Sequence, residues 1–245
     1  RWVGGGSLVL IQPEEFLRRP ETWIDSCAQY HATMTAAPNF GLDLAVRRAA
    51  HHKEADLSNL RVCITGAERV RPETLTRFSD TFGRQGLSER SICPAYGLAE
   101  AALAVTLCAP DAEWRSINVD YSADELLLQS DALDGSTLQL VSSGAPLRGY
   151  GTTIEGNQAL GPIRVSGPSV VSRYFGEIQS GEEPRTLLTN DLGIIREEEL
   201  YVAGRLDDVL KIGGRKIFAA DLENQLHNVG ALRKGTAVVF LRHDG

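Results

Sequence analysis

No apolar run among the 245 residues approaches the length of a membrane span, and no secretory leader is visible. Cysteine is sparse. Cys27, Cys63, Cys93 and Cys108 show no C-x-x-C spacing, and Cys63 and Cys93 sit in apolar, strand-like runs. This argues against a disulfide framework and predicts reduced, mostly buried thiols in a cytoplasmic protein. A basic excess is also missing: the net charge of −7 disfavours a general nucleic-acid surface. His31, His51, His52, His227 and His243 have no metal-ligand spacing, and no Ser/His/Asp set is discernible. Gly4-Gly5-Gly6 lacks the Lys and Ser/Thr that would make it a phosphate loop. Internal repeats and low-complexity tracts are absent.

What is present suffices for a substantial core. The apolar content is 42%, and the length suits one large domain or two small ones. Residues 1–107 alternate strand and helix patterns, which argues for a parallel α/β layer. Leu8-Val9-Leu10-Ile11 and Thr33–Ala36 read as strands. Pro20 suits a first helical position, Asn39 a helix cap, and Arg71-Pro72 opens a helix that Gly83 closes. From residue 108 to 203, short strands separated by Gly and Pro turns predict a small β-barrel or sandwich. They are Trp114–Val119, Leu138–Ser142, Gly151–Ile154, Ile163–Ser166 and Leu200–Ala203. The acidic stretch Tyr121–Gly135 reads as a loop excursion with a helical patch at Asp124–Leu128. Residues 204–245 begin with a hairpin-like pair, Val209–Ile212 and Lys216–Phe218, then a helix over Asp221–His227 and an apolar strand, Ala237–Phe240.

The most informative stretch is Pro94-Ala95-Tyr96-Gly97-Leu98-Ala99-Glu100. It follows the apolar Ser91-Ile92-Cys93 and precedes Ala101–Val105, a pattern that predicts a strand, a tight turn and a helix start. Tyr96 can stack on a flat heterocycle, Gly97 permits close approach of backbone to a ligand, and Glu100 can hold a hard cation through oxygen. The bland alternative is an ordinary Tyr-Gly turn with a solvated Glu. Three further segments weigh against it: Gly66-Ala67-Glu68 at the end of a short apolar strand, Thr189-Asn190-Asp191-Leu192-Gly193, and the run from Gly204-Arg205 through Asp207, Lys211 and Gly213-Gly214 to Ile217.

Together these segments, in this order, resemble the adenylate-forming superfamily, and with Ala36-Ala37-Pro38-Asn39-Phe40 upstream they look most like fatty acyl-AMP ligases. The resemblance implies an α/β layer, a small β-barrel and the start of a small α+β C-terminal domain. It divides the chain at 1–107, 108–203 and 204–245. It implies that Gly66, Ala67 and Glu68 lie along the adenine of ATP, that Tyr96 and Gly97 contact the base, and that Glu100 binds Mg²⁺. Asp191 would accept hydrogen bonds from the ribose hydroxyls, Arg205 would contact ribose or phosphate, and Lys211 would serve thioester formation beyond a hinge at Asp207. The family usually has Gly at position 190; Asn tolerates the left-handed backbone that Gly would supply.

The implied activity is ATP-dependent activation of a carboxylic acid, by subfamily a fatty acid, in lipid or polyketide biosynthesis. Acyl-AMP forms first, and the acyl group then passes to a phosphopantetheine thiol on an acyl carrier protein or to CoA. Pro38-Asn39-Phe40 and Leu98-Ala99 are candidates for the acyl wall. Asp207, Lys211 and Gly213-Gly214 resemble CoA synthetases more, so an acyl-CoA or aryl-CoA synthetase remains an alternative. The family's phosphate loop and its C-terminal Lys have no match in these residues. That favours a fragment of a longer enzyme, inactive alone, and leaves a non-catalytic nucleotide- or carrier-binding module as the rival from another class.

Overall fold

The computed structural model describes residues 5–49, 55–120, 127–128, 137–156, 159–172, 174, 185–212, 215–227 and 237–240. The chain divides into two compact units, Arg1–Ala95 with Cys108–Trp114, and Tyr96–Leu107 with Arg115–Gly245.

The first unit holds α1 (Pro13–Arg18), α2 (Glu21–Gln29), β1 (Met34–Ala36), α3 (Asn39–Ala49), β2 (Val62–Thr65), α4 (Pro72–Phe82) and the first residues of β3 (Ile92–Leu98). The strands are parallel, with Thr35 opposite Cys63 and Cys63 opposite Ile92, as strand-helix alternation predicts. Pro72 opens α4, where a missing N–H costs nothing, and Leu75, Phe78 and Phe82 are fully covered along one face. Phe78 packs against Phe82 and lies parallel to Trp23, with centroids 4.9 and 5.9 Å apart. The Trp23 indole N–H donates to Thr35 Oγ1 at 2.8 Å, which fastens α2 to β1. Helix α4 does stop before Gly83, but Gly83 keeps a right-handed backbone; the left-handed residue is Gly86, after one further 3₁₀ turn.

The second unit is built from antiparallel strands. It contains the end of β3, β4 (Leu103–Leu107), β5 (Ser116–Asp120), β6 (Leu127–Leu128), β7 (Thr137–Val141), β8 (Ala145–Pro146), β9 (Gly151–Ile154), β10 (Gly161–Ser166), β11 (Thr186–Arg196), β12 (Glu199–Arg205), β13 (Val209–Ile212), β14 (Arg215–Phe218) and α5 (Ala219–His227). One sheet has the order β12-β11-β10-β9, a second has β6-β5-β7, β13 and β14 form a hairpin, and β4 pairs with β8. Along β10 alternate residues are buried, the period-two pattern of a half-covered sheet. One apolar cluster gathers Val119, Leu140, Ile194 and Phe218; another gathers Tyr96, Val105, Ile163, Val165 and Leu200. Ile163 and Leu200 are fully enclosed, each contributing on the order of 1.5–3 kcal/mol of burial.

Several elements differ from the sequence reading. Ala101–Val105 starts no helix. After a 3₁₀ turn over Ala99–Ala101 the chain takes positive φ at Ala102 (58°) and Leu103 (118°) and returns as β4. The β-branched Val105 and Thr106, both fully buried, suit that strand. Leu127–Leu128 is strand, paired with Val119–Asp120, rather than helix; the rest of the Tyr121–Gly135 excursion lies outside the described residues. Leu8–Ile11 and Ala237–Phe240 carry no regular element, because neither run has a pairing partner among the described residues. Among those residues no helix is long and apolar enough to cross a membrane.

Candidate functional site

Strand β11 creates the site by interrupting its ladder with β10. Pro162 faces Leu192 and Arg164 faces Leu188, so Thr189, Asn190 and Asp191 together stand opposite Ile163. Such a bulge interrupts pairing and re-aims side chains. Each of the three then finds a separate partner. The Thr189 hydroxyl donates to the Ile163 carbonyl at 2.9 Å and accepts the Asp191 backbone N–H at 3.2 Å. Asn190 Nδ2 donates to Asp207 Oδ2 at 2.7 Å. Asp191 Oδ2 accepts the Tyr96 hydroxyl at 2.8 Å, across 95 positions of sequence.

Tyr96 is held firmly. Its ring belongs to the cluster with Val105, Ile163 and Leu200 and is only 7% exposed, while its hydroxyl also lies 3.5 Å from Thr189 Oγ1. Burial above all, with the Asp191 carboxylate beside it, pushes the phenol above its ordinary range, so it remains a donor at physiological pH. Arg205 ends β12 directly opposite Asp191, and its guanidinium, 60% exposed, lies 3.9 Å from Asp207. Tyr96, Asp191 and Arg205 are thus brought together within one unit.

Glu100 sits on the 3₁₀ turn after β3, partly exposed, and the Tyr174 hydroxyl donates to its Oε1 at 3.0 Å. Among the described residues no group of three or more His, Cys, Asp or Glu side chains could hold a metal ion. Glu100 is thus a single hard-oxygen donor at this turn, and a cation held by it would draw its remaining ligands from outside these side chains.

Gly66, Ala67 and Glu68 lie in the other unit, directly after β2. Ala67 has φ 67°, an uncommon left-handed backbone for a residue with a side chain. Asn39, 3% exposed, grips this turn: its amide donates to Arg69 O at 2.8 Å and its oxygen accepts Arg71 N–H at 3.0 Å. Glu68 Oε1 accepts the Phe40 N–H at 3.2 Å and so serves the first turn of α3. The Thr65 hydroxyl just upstream is buried with no hydrogen-bond partner among the described residues. An open apolar cavity of about 390 Å³ lies in the same unit, lined by Phe16, Leu17, Trp23, Ala37, Pro38 and Phe40 among others.

Three expectations change in their reasons. At Gly97 a Cβ would stand 1.6 Å from the Leu103 carbonyl oxygen, and at Gly66 2.5 Å from that of Ala95. Both glycines are required because the chain approaches itself. Asn190 is not among the residues with positive φ; it lies in extended strand, and its side chain reaches Asp207 instead. The Lys211 backbone lies in β13 opposite Lys216, while its side chain and Gly213-Gly214 fall outside the described residues. Sequence reasoning missed Thr189 as the hub of the bulge and Asn39 as a clamp. The Asn at position 190 suggested a left-handed turn and gave no sign of the bulge or of its partner.

Residues 2–175 match the model of the family described as AMP-binding enzyme. The 4-hydroxyphenylalkanoate adenylyltransferase of Mycobacterium tuberculosis is 35% identical over 252 residues, covering 93% of this chain and 41% of that protein. A solved structure from work on the fatty acyl-adenylate ligases of E. coli and L. pneumophila superposes with a TM-score of 0.82 at 30% identity, over 89% of this chain and 42% of the other. A fatty acyl-adenylate ligase from L. pneumophila in complex with acyl adenylate and pyrophosphate matches with a TM-score of 0.70 at 30% identity, over 80% of this chain and 38% of the other. The chain belongs to the AMP-binding enzyme family, with the fold of the adenylate-forming enzymes. It spans about two fifths of the length of these relatives.

Proposed function

We propose that this chain belongs to an ATP-dependent acyl-AMP ligase and supplies part of its nucleotide site. The observation that carries the reading is the 2.8 Å contact between Tyr96 and Asp191, which joins two separated motifs at one place. The Asp191 carboxylate, with Arg205 opposite, suits the vicinal hydroxyls of a ribose; Glu100 would be the carboxylate that holds Mg²⁺. When bound, Mg²⁺ neutralises charge on the polyphosphate. Tyr96 and Gly97 would border the base; in the other unit, Gly66, Ala67 and Glu68 are the family's candidates for adenine contact.

In the reaction a carboxylate oxygen of the acid attacks the α-phosphorus of ATP. The new P–O bond gives acyl-AMP, and the bond to the β-phosphate breaks to release pyrophosphate. A thiol then attacks the acyl carbonyl, loses its proton and expels AMP, leaving a thioester. The apolar cavity beside Pro38 and Phe40 has the volume of a small-molecule pocket and a lining suited to an aliphatic or aryl chain. The fatty acyl-adenylate ligases with which the chain superposes favour a fatty acid, and the Mycobacterium tuberculosis relative brings hydroxyphenyl acids into range. Phosphopantetheine on an acyl carrier protein is the proposed acceptor; Lys211 with Gly213-Gly214 keeps CoA as the alternative.

Acid-dependent exchange of labelled pyrophosphate into ATP by the full-length protein tests this reading. Exchange is expected with fatty or hydroxyphenyl acids, and Asp191→Ala should raise the KM for ATP without a comparable change for the acid. Exchange that no carboxylic acid supports, or an unchanged ATP dependence in Asp191→Ala, overturns it.

A further inference from the structure

Tyr96 does more here than offer a ring. Its ring is wedged among Ala101, Val105, Ile163, Val165, Val170 and Leu200, so it has no freedom to follow a ligand. Its hydroxyl is the one polar atom of the side chain, and it is aimed at Asp191 Oδ2, 2.8 Å away. Asp191 is fixed at its other end as well, since its backbone N–H is held by Thr189 Oγ1, itself anchored on Ile163. A carboxylate has about four lone-pair positions, and the tyrosine occupies one of them. A partly exposed aspartate without such a contact samples several rotamers, which a ligand must freeze on binding.

Resting on the nucleotide reading above, we propose that Tyr96 is a positioning residue. Its hydroxyl locks the Asp191 carboxylate in the one orientation whose remaining lone pairs accept the two hydroxyls of a ribose, and so sets preference for ribonucleotides over nucleotides that lack the vicinal diol. The role separates cleanly from stacking, because Tyr96→Phe keeps the ring and removes only the hydroxyl. It also separates from a general effect on folding, because only ligands with a ribose diol should sense it.

The experiment titrates AMP and 2′,3′-dideoxy-AMP into the full-length protein and into its Tyr96→Phe, Asp191→Ala and double variants, by calorimetry, with unfolding midpoints as the folding control. Wild type should bind AMP more tightly than the dideoxy nucleotide. Tyr96→Phe should weaken AMP by a factor of about ten, the scale of one hydrogen bond to a charged group, and leave the dideoxy nucleotide within about twofold. In the double variant the tyrosine change should add nothing to Asp191→Ala, because the two act as one unit. Equal weakening of both nucleotides by Tyr96→Phe, unchanged AMP affinity, or additive losses would each overturn the positioning role while leaving Asp191 as a ribose ligand. An Asp191→Ala variant that still prefers AMP over the dideoxy nucleotide by the wild-type ratio would instead overturn the ribose reading beneath it.

Discussion

Replacing Thr189 with Val tests whether a single hydroxyl holds the β11 bulge and the site built on it. The two side chains are nearly equal in shape, so no cavity opens. What is lost is the donor to the Ile163 carbonyl at 2.9 Å and the acceptor for the Asp191 N–H at 3.2 Å. Thr189 is buried, so little water reaches the orphaned groups. At about 0.5–1.5 kcal/mol for each net hydrogen bond, the loss is about 1–3 kcal/mol. For a chain of this size that corresponds to roughly 2–12 °C in unfolding midpoint. Thr189→Ser keeps the hydroxyl and is the control. In the Thr189→Val protein the Asp191 amide should exchange with deuterium faster, and nucleotide affinity should fall, while Thr189→Ser should hold both close to wild type. A Thr189→Val protein as stable as wild type, with the Asp191 amide equally protected, would show that the backbone holds the bulge without the hydroxyl.

Other substitutions separate fold from chemistry. Gly97→Ala puts a methyl 1.6 Å from a backbone oxygen that cannot step aside, so soluble, folded protein should be lost, as judged by circular dichroism and gel filtration. Glu199→Ala should cost about 1–3 kcal/mol in urea unfolding, because Glu199 accepts the hydroxyl of buried Ser142 at 2.8 Å as well as Arg115 at 2.6 Å. Glu197→Ala, which removes only an exposed contact to Arg115, should fall within about 0.5 kcal/mol of wild type. Burial pushes the Cys63 thiol up to about 12, so native protein should resist aromatic disulfide reagents at pH 8 and react once unfolded. The unfolded chain gives up that proton near its ordinary pKa of about 8.5, and the folded chain retains it. The Cys63 contribution to stability is therefore complete below that pH and is lost as pH climbs toward 12, so Cys63→Ala should flatten the decline.

The elements that were legible in sequence carry their own local cause. Pro72 and the Leu75–Phe78–Phe82 spacing define α4 whatever surrounds it, and the strands at Gly151–Ile154 and Val209–Ile212 match their patterns to the residue. The elements that were missed depend on distant partners. β11 runs over Thr186–Arg196 through a polar Thr-Asn-Asp centre that no strand pattern would include, because the bulge against β10 frees those three side chains for partners of their own. Ala101–Val105 has good helix formers, yet two positive-φ residues in succession turn the chain back into a strand, and Gly97 leaves room for the returning backbone at Leu103. Within the site, residue types pointed to Tyr96, Asp191 and Arg205, and the structure places them side by side. The bond between Asn190 and Asp207 was beyond sequence reasoning, since nothing in either segment announces that the two will meet.

The self-contact at Gly97 bears on how such sequences are sorted. A glycine demanded by the chain's own carbonyl persists for as long as the strand does, whether or not a nucleotide ever binds. A descendant that had lost its chemistry would still keep that glycine, and a search profile weighted toward it would group working and silent copies together. The partly exposed Asp191 carboxylate has no such structural guarantee, whereas the Tyr96 ring is itself part of the buried core. On the nucleotide reading proposed above, Asp191 would drift once ligand binding ceased to matter, and its survival would be the better mark of a gene whose product still handles a nucleotide.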